Sequence, residues 1–221
     1  MNPESFSGPF FPTVLPLWTS LLIQSGAPRA LYGPSHNVDL RATDFVDTAN
    51  AFMPFFDHIS QSGGSAIFGP VKKDMRGNIE RVERALAAHG AGASIRDLMQ
   101  AESARGTAPG TVADALLWWR RAMSYIVQML RGVSKGEEAS QAMKDAYHLS
   151  LSKHHGRITR AAFELGMRVA SADTEAMIKG LGGDKDTVLR QMREWIDAAD
   201  PCLRTVGNIL RLQGHAQAVS D

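Results

Sequence analysis

The chain has 221 residues, 44% of them hydrophobic, and its charges nearly cancel, with 24 Lys and Arg against 23 Asp and Glu. That length can bury a sizeable core in one domain, or one domain with an extension, and the charge balance supplies no basic field for nucleic acid, whose binding motifs are absent too. A single cysteine, Cys202, excludes an intramolecular disulfide and a cysteine metal cage, which fits a cytoplasmic protein, and reads as a small buried hydrophobe.

Residues 1–40 are rich in Pro and Gly and read as an N-terminal extension, partly irregular, with one short helix at Thr13 to Gln24; residues 41–221 form the domain. The apolar run Phe10 to Ile23 is cut by Pro12 and Pro16, is shorter than the ~20 residues a membrane span needs, and lacks a preceding basic region. It is expected to pack on the domain through Phe10, Phe11, Leu15, Trp18 and Leu22, with a membrane surface as the alternative.

A helix is predicted from Thr43 to about Ser60, with Asp44 and Asp47 favourable in its first turn and Pro54 as a kink. Pro70 opens a second helix at its first turn, and Gly90 and Gly92 close it. Ser94 and Asp97 look like a reciprocal cap for a short helix to about Arg105. The next helix, Thr111 to Gly132, is apolar over nearly half its circumference and belongs in the middle. Helical periodicity then runs from about Glu137 to Ala170, again over Asp173 to Leu181 and Asp186 to Asp200, and Pro201 separates the last of these from a final helix ending near Gly214. No stretch alternates like a half-buried strand, so the class is all-α.

On the second helix Val71, Met75, Ile79, Val82 and Leu86 share one side, while Lys73, Arg76, Glu80 and Arg84 share the other. Between them runs a third line, Asp74, Asn78 and Arg81 at i, i+4 and i+7, so a carboxylate, an amide and a guanidinium point the same way beside an apolar face. Such a line suits a polyhydroxylated ligand.

Asp74-x-x-Gly77-Asn78-x-x-Arg81, preceded by Phe55-Phe56-Asp57 and Phe68-Gly69-Pro70-Val71, resembles the signature helix of the glycolipid transfer protein family. Ala115-Leu-Leu-Trp-Trp-Arg-Arg121 and Lys153-His-His-Gly156 resemble two further segments of it in the same order, across roughly residues 40 to 215. The resemblance implies a two-layer sandwich of about eight helices that holds a lipid's hydrocarbon chains between its layers; periodicity alone implies a helical bundle. It further implies that Asp74, Asn78 and Arg81 receive sugar hydroxyls, that Asp74 also accepts the ceramide amide N–H, that the sugar ring stacks on Trp118, and that His155 donates to the amide carbonyl. Phe52, Phe56, Phe68, Val71, Ile79, Tyr125, Leu151 and Phe163 are the candidate apolar pocket.

Moving about thirty methylenes through water costs on the order of 20 kcal/mol at ~0.8 kcal/mol each, which head-group hydrogen bonds at ~1 kcal/mol cannot offset. The tails must be enclosed, and the polar residues select. Phosphate-binding members place cations at the stacking tryptophan and one turn later; Trp118 and Ala122 stand there, so a glycosphingolipid is favoured over ceramide-1-phosphate. Arg121 remains a candidate phosphate contact or a partner for Asp114, and Arg157 stands where some members carry a membrane-touching tryptophan. Docking could then rest on Trp18 or the last helices.

The expected function is therefore non-enzymatic transfer or sensing of a sphingolipid by a cytoplasmic monomer that touches membranes transiently, without cofactor, metal or nucleic acid. A helical protein-interaction module is the alternative of another class, since Asp74, Asn78 and Arg81 taken singly are an ordinary solvated face, and Trp118 and His155 ordinary core and boundary residues. Asp145-x-x-His148 with His155 lacks the second motif of a di-metal bundle, and Asp74 with His155 lacks a nucleophile. The basic cluster Lys72, Lys73, Arg76 and Arg84 reads as a solvated face, with anionic-membrane docking as a secondary reading.

Overall fold

The computed structural model describes residues 8–24, 39–60, 65–104, 111–169 and 173–215, and the described residues form ten helices. In chain order these are α1 (Phe10–Gln24), α2 (Ala42–Phe52), α3 (Phe55–Ile59), α4 (Ser65–His89), α5 (Ile95–Ala104), α6 (Val112–Ser134), α7 (Ala139–Leu149), α8 (Arg157–Val169), α9 (Thr174–Gly180) and α10 (Lys185–Leu212).

Helix α6 is the hub: it packs against α10, α7, α4 and α5, and α1 lies against α10 and α2. Its broad apolar surface and the burial of most of its residues explain the position, because a helix buried on most sides needs neighbours on most sides. Thr111 caps it, its hydroxyl accepting from the Asp114 amide at 3.3 Å. Where α6 meets α1, α2 and α10, aromatic rings fill the core: Trp18 and Trp119 stack at 6.1 Å, Phe45 meets Trp119 edge-on at 4.7 Å, and Phe52 stacks on Trp195 at 5.0 Å. Helix α1, expected as part of an extension, is thus a wall of this core. Trp18 is buried within it and is not a docking group in this conformation.

The kink expected at Pro54 is a break between α2 and α3, and the reciprocal cap forms as read: the Ser94 amide donates to Asp97 Oδ2 at 2.9 Å and the Asp97 amide to Ser94 Oγ at 3.1 Å. A backbone clip, Ala42 N to Ala93 O at 3.0 Å and Ile95 N to Leu40 O at 2.8 Å, ties the start of α2 to that of α5.

Four boundaries differ from the sequence reading. Helix α1 begins at Phe10 and not at Thr13. Helix α4 begins at Ser65 and not at Pro70; a proline this near a helix start forfeits a single backbone bond. Pro201 lies inside α10 without ending it, since burial of Ala198, Ala199, Cys202 and Leu203 on both sides of it outweighs the lost bond. The helix predicted from Glu137 to Ala170 is two, α7 and α8, joined by a turn over residues 150–156. The Ser150 hydroxyl bonds back to Ala146 O at 2.5 Å and the His154 amide to Leu151 O at 3.0 Å, so the ladder closes on itself before α8 starts.

Candidate functional site

The turn at 150–156 faces α4 and α6 across a cavity of about 560 Å³, lined by Asp74, Asn78, Arg81, Trp118 and His155 together. These are the five residues singled out as a head-group site, drawn from three separate segments. The polar line of α4 is linked end to end: Asn78 Nδ2 donates to Asp74 Oδ2 at 3.0 Å, and Arg81 Nη1 donates to Asn78 Oδ1 at 2.9 Å. Asn78, only 2% exposed, is the inner member. Its amide is held in register by the charges on either side, which leaves the Asp74 carboxylate and the Arg81 fork presented at the rim.

Trp118, half-buried on α6, stacks with His155 at a centroid distance of 6.2 Å and 22° between planes. Behind the imidazole, Tyr147 Oη lies 3.1 Å from His155 Nδ1, and the Tyr147 ring stacks on Phe163 at 4.4 Å and 9°. Arg160 secures the turn by donating to the carbonyls of Ser152 at 2.7 Å and His155 at 3.4 Å. Tyr147 was not foreseen. Its signal was its position two turns before His155 on the buried side of α7, which the supposed continuous helix made uninformative.

Burial raises the Asp74 pKa above the usual carboxylate value, against the opposing pull of the Asn78 bond and the Arg81 charge. Burial likewise lowers the His155 pKa, helped by His154 and opposed by Asp74, so its imidazole is neutral at pH 7. Tyr147 is raised, chiefly by burial. The cavity therefore offers one anion, one cation, neutral donors and an aromatic face.

Of the expected apolar pocket, Val71, Leu151 and Phe163 line the floor of the cavity, beside Pro70 and Ala122. Phe52, Phe56, Phe68, Ile79 and Tyr125 are buried in the core and do not border it; Tyr125 meets Phe163 edge-on at 5.8 Å, directly behind the floor. Arg121 is buried against Trp118, its Cζ 5.0 Å from the ring centre, and opens on a neighbouring pocket instead. Lys72 bonds Asp57 and Arg76 Nη1 bonds Asn50 Oδ1 at 2.6 Å, so part of the basic cluster ties α4 to α2 and α3. Among the described residues, no cluster of His, Cys, Asp or Glu stands at metal-binding spacing, and no helix is long and apolar enough to cross a membrane.

A polar rim over an apolar floor, inside an all-helical domain, suits an amphiphilic ligand. Comparison with known proteins gives the class its family: the family model described as Glycolipid transfer protein (GLTP) matches residues 40–182. The chain belongs to the glycolipid transfer protein family, a family of lipid transfer proteins. It is 29% identical over 206 residues to a glycolipid transfer protein of Aureobasidium melanogenum, covering 92% of this chain and 93% of that one. Among solved structures it resembles HET-C2, a fungal glycolipid transfer protein, with TM-score 0.68 and 25% identity over 79% of this chain and 87% of that one. A variant of Arabidopsis ACD11 complexed with C12 ceramide-1-phosphate superposes with TM-score 0.79 at 15% identity, over 95% and 98% of the two chains, a likeness of fold. The architecture is accordingly the two-layer helical sandwich of that family.

Proposed function

We propose that this chain binds a glycosphingolipid and moves it between membranes, with the sugar and the ceramide amide in the 560 Å³ cavity and the hydrocarbon chains entering through its floor. The observation that carries the reading is the convergence of Asp74, Asn78, Arg81, Trp118 and His155 on one cavity whose floor is apolar. In this arrangement the indole of Trp118 offers a flat apolar surface to the C–H face of a hexose. Asp74 and Arg81 take the ring hydroxyls, Asp74 also accepts the amide N–H, and Asn78 fixes the spacing between the two. Tyr147 Oη stands 3.1 Å from His155 Nδ1; with the hydroxyl as donor there, the imidazole proton sits on Nε2, ready to donate to the amide carbonyl. The tails pass Val71, Leu151 and Phe163, and Tyr125 lines their path once Phe163 swings aside.

Docking falls to the surface beside the mouth. Ile158 is 88% exposed at the start of α8, and Leu165 and Leu149 are exposed on α8 and α7. Ile158 and Leu165, seven residues apart on one face of α8, with Arg157 next to Ile158, make an apolar edge with a cationic border, suited to lipid headgroups.

The sugar reading is favoured over ceramide-1-phosphate because, among the described residues, Arg81 is the one arginine or lysine lining the cavity, while a phosphate carries up to two negative charges. The test is a competition panel in a vesicle transfer assay with monohexosylceramide, lactosylceramide, sulfatide and ceramide-1-phosphate. Monohexosylceramide or lactosylceramide should compete best; preference for ceramide-1-phosphate would overturn the head-group assignment, and competition by none of them would overturn the carrier.

A further inference from the structure

We propose that the path behind the cavity floor reads a hydroxyl on the hydrocarbon part of the lipid, through the phenol of Tyr125. The ligand class is a glycosylceramide hydroxylated close to its amide, on the acyl chain or on the sphingoid base. The proposal rests on the carrier reading and deepens it.

Trp118, Ala122 and Tyr125 stand at i, i+4 and i+7 on α6, so they share one side of that helix. The first two line the cavity and the third does not. Helical side chains lean toward the N-terminus of their helix, which carries the phenol from Tyr125 back toward Ala122, whose small side chain is part of the floor. Tyr125 also meets Phe163 edge-on at 5.8 Å, and Phe163 belongs to the same floor. The phenol thus sits one layer of side chains beneath the cavity. Seven residues of helix span about 10 Å, and the backward lean of the ring shortens that reach. A chain that starts at the amide beside His155 therefore meets the hydroxyl near its first carbons.

Tyr125 is wholly buried, and its Oη has no hydrogen-bond partner among the described residues. Phenylalanine would fill the same space at less cost, because a buried hydroxyl that makes no bond has given up its hydration for nothing. Burial pushes its ionisation far above the ordinary tyrosine value, so the group stays a neutral phenol, able both to donate and to accept. The indole N–H groups of Trp18, Trp119 and Trp195 lack acceptors among the described residues as well. Their rings pack on one another in the aromatic core, however, and none of the three borders the cavity. Tyr125 differs in touching the wall that the chains must pass.

Access needs one side chain to move. Phe163 is half-buried, and α8, which carries it, is exposed over residues 157–162, so little packing fixes the start of that helix when a chain enters. A plain chain leaves the phenol unpaired in apolar surroundings, whereas a hydroxylated one pairs with it. Discrimination arises because the unpaired polar group is what the wrong ligand leaves behind.

The experiment compares three glucosylceramides of equal chain length on a saturated base: one plain, one with a hydroxyl on the acyl carbon next to the amide, and one with an added hydroxyl on the base. Binding to the full chain in detergent is measured for wild type and Tyr125→Phe. Wild type should bind a hydroxylated form about fivefold more tightly than the plain one, equivalent to about 1 kcal/mol, and Tyr125→Phe should bind all three alike. Preference for the acyl hydroxyl assigns the contact to that chain, and preference for the added base hydroxyl assigns it to the base. Equal binding of all three by wild type, or a preference that survives in Tyr125→Phe, overturns the hydroxyl site and leaves the carrier reading standing. Binding of none of them overturns the carrier reading and the hydroxyl site with it. Calorimetry of the ligand-free proteins checks the premise without lipid: Tyr125→Phe should melt no lower than wild type, and a lower melting temperature would show the phenol already bonded and overturn the site.

Discussion

The Trp118 indole and the His155 imidazole lie 6.2 Å apart and 22° from parallel, one on the central helix and the other in the turn that interrupts α7 and α8. The turn rather than a helix face brings them together. A continuous helix through residues 150–156 would carry His155 onward along its own axis; the Ser150 back-bond and the Arg160 bonds to two turn carbonyls fold it toward α6. Removing the indole should therefore empty one side of the site while leaving the hydrophobic core of α6 intact. Trp118→Ala is expected to lower glycolipid transfer about tenfold or more, equivalent to about 1.4 kcal/mol of binding, with a native circular dichroism spectrum. Unchanged transfer would move the head group elsewhere.

Tyr147 makes a subtler claim. Phenylalanine at this position keeps the ring stacked on Phe163 and removes only the hydroxyl near His155 Nδ1. A neutral hydrogen bond contributes about 1 kcal/mol net, so Tyr147→Phe should weaken binding by several-fold and barely change the melting temperature. The tautomer of His155, read from its ring 15N shifts, should become mixed. A His155 spectrum identical to wild type would show that the phenol does not hold the proton on Nε2.

The pH dependence follows from two shifts of opposite sign. Asp74 has a raised pKa, so as pH falls it gains a proton earlier than a free carboxylate at about 3.9, and the site loses its anionic acceptor. His155 has a lowered pKa, stays neutral below the usual value of about 6.5, and when protonated still donates through Nε2. The acid loss of glycolipid binding is therefore expected to belong to Asp74. Asp74→Asn should bind more weakly at pH 7 and show a flat profile through the acid range where wild type declines. A variant that retained the wild-type decline would assign it to His155.

The line Asp74, Asn78 and Arg81 was legible because helical spacing alone puts i, i+4 and i+7 on one side, and the burial of α6 was legible from its apolar circumference. His155 was legible only through the likeness of Lys153-His-His-Gly156 to its family, since helical periodicity carries on through the turn that positions it. Phe52, Phe56, Phe68, Ile79 and Tyr125, offered as pocket residues, are buried without bordering the cavity, because a sequence does not say which inward residue borders a void and which borders another side chain. Pro201 misled because its cost is local, while the burial that outweighs it comes from α1 and α6, distant in sequence.

Gly207 offers a stability prediction tied to Arg120. An added methyl would stand 2.9 to 3.2 Å from three guanidinium atoms, which the bond to Leu203 O holds in a buried place. Overpacking of this kind costs ~1–3 kcal/mol, and for a chain of this size each kcal/mol lowers the melting temperature by roughly 2–4 °C. Gly207→Ala should melt roughly 2–12 °C lower in differential scanning calorimetry. No change would mean that the guanidinium is free to move away.

Membrane docking separates from ligand binding at Ile158. The side chain is 88% exposed and does not line the cavity, so a charge there leaves the head-group contacts alone, and exposed substitutions usually shift stability by no more than ~0.5 kcal/mol. In a carrier that must settle on a bilayer to release its cargo, a carboxylate at this edge replaces favourable insertion with desolvation and, on anionic vesicles, with repulsion as well. Ile158→Glu is expected to slow transfer between vesicles several-fold while binding detergent-solubilised glycolipid as wild type does, and Leu165→Glu should act in the same direction. Full transfer by the double variant would place the docking surface on another face of the molecule; loss of binding in detergent would show instead that α8 shapes the cavity from outside.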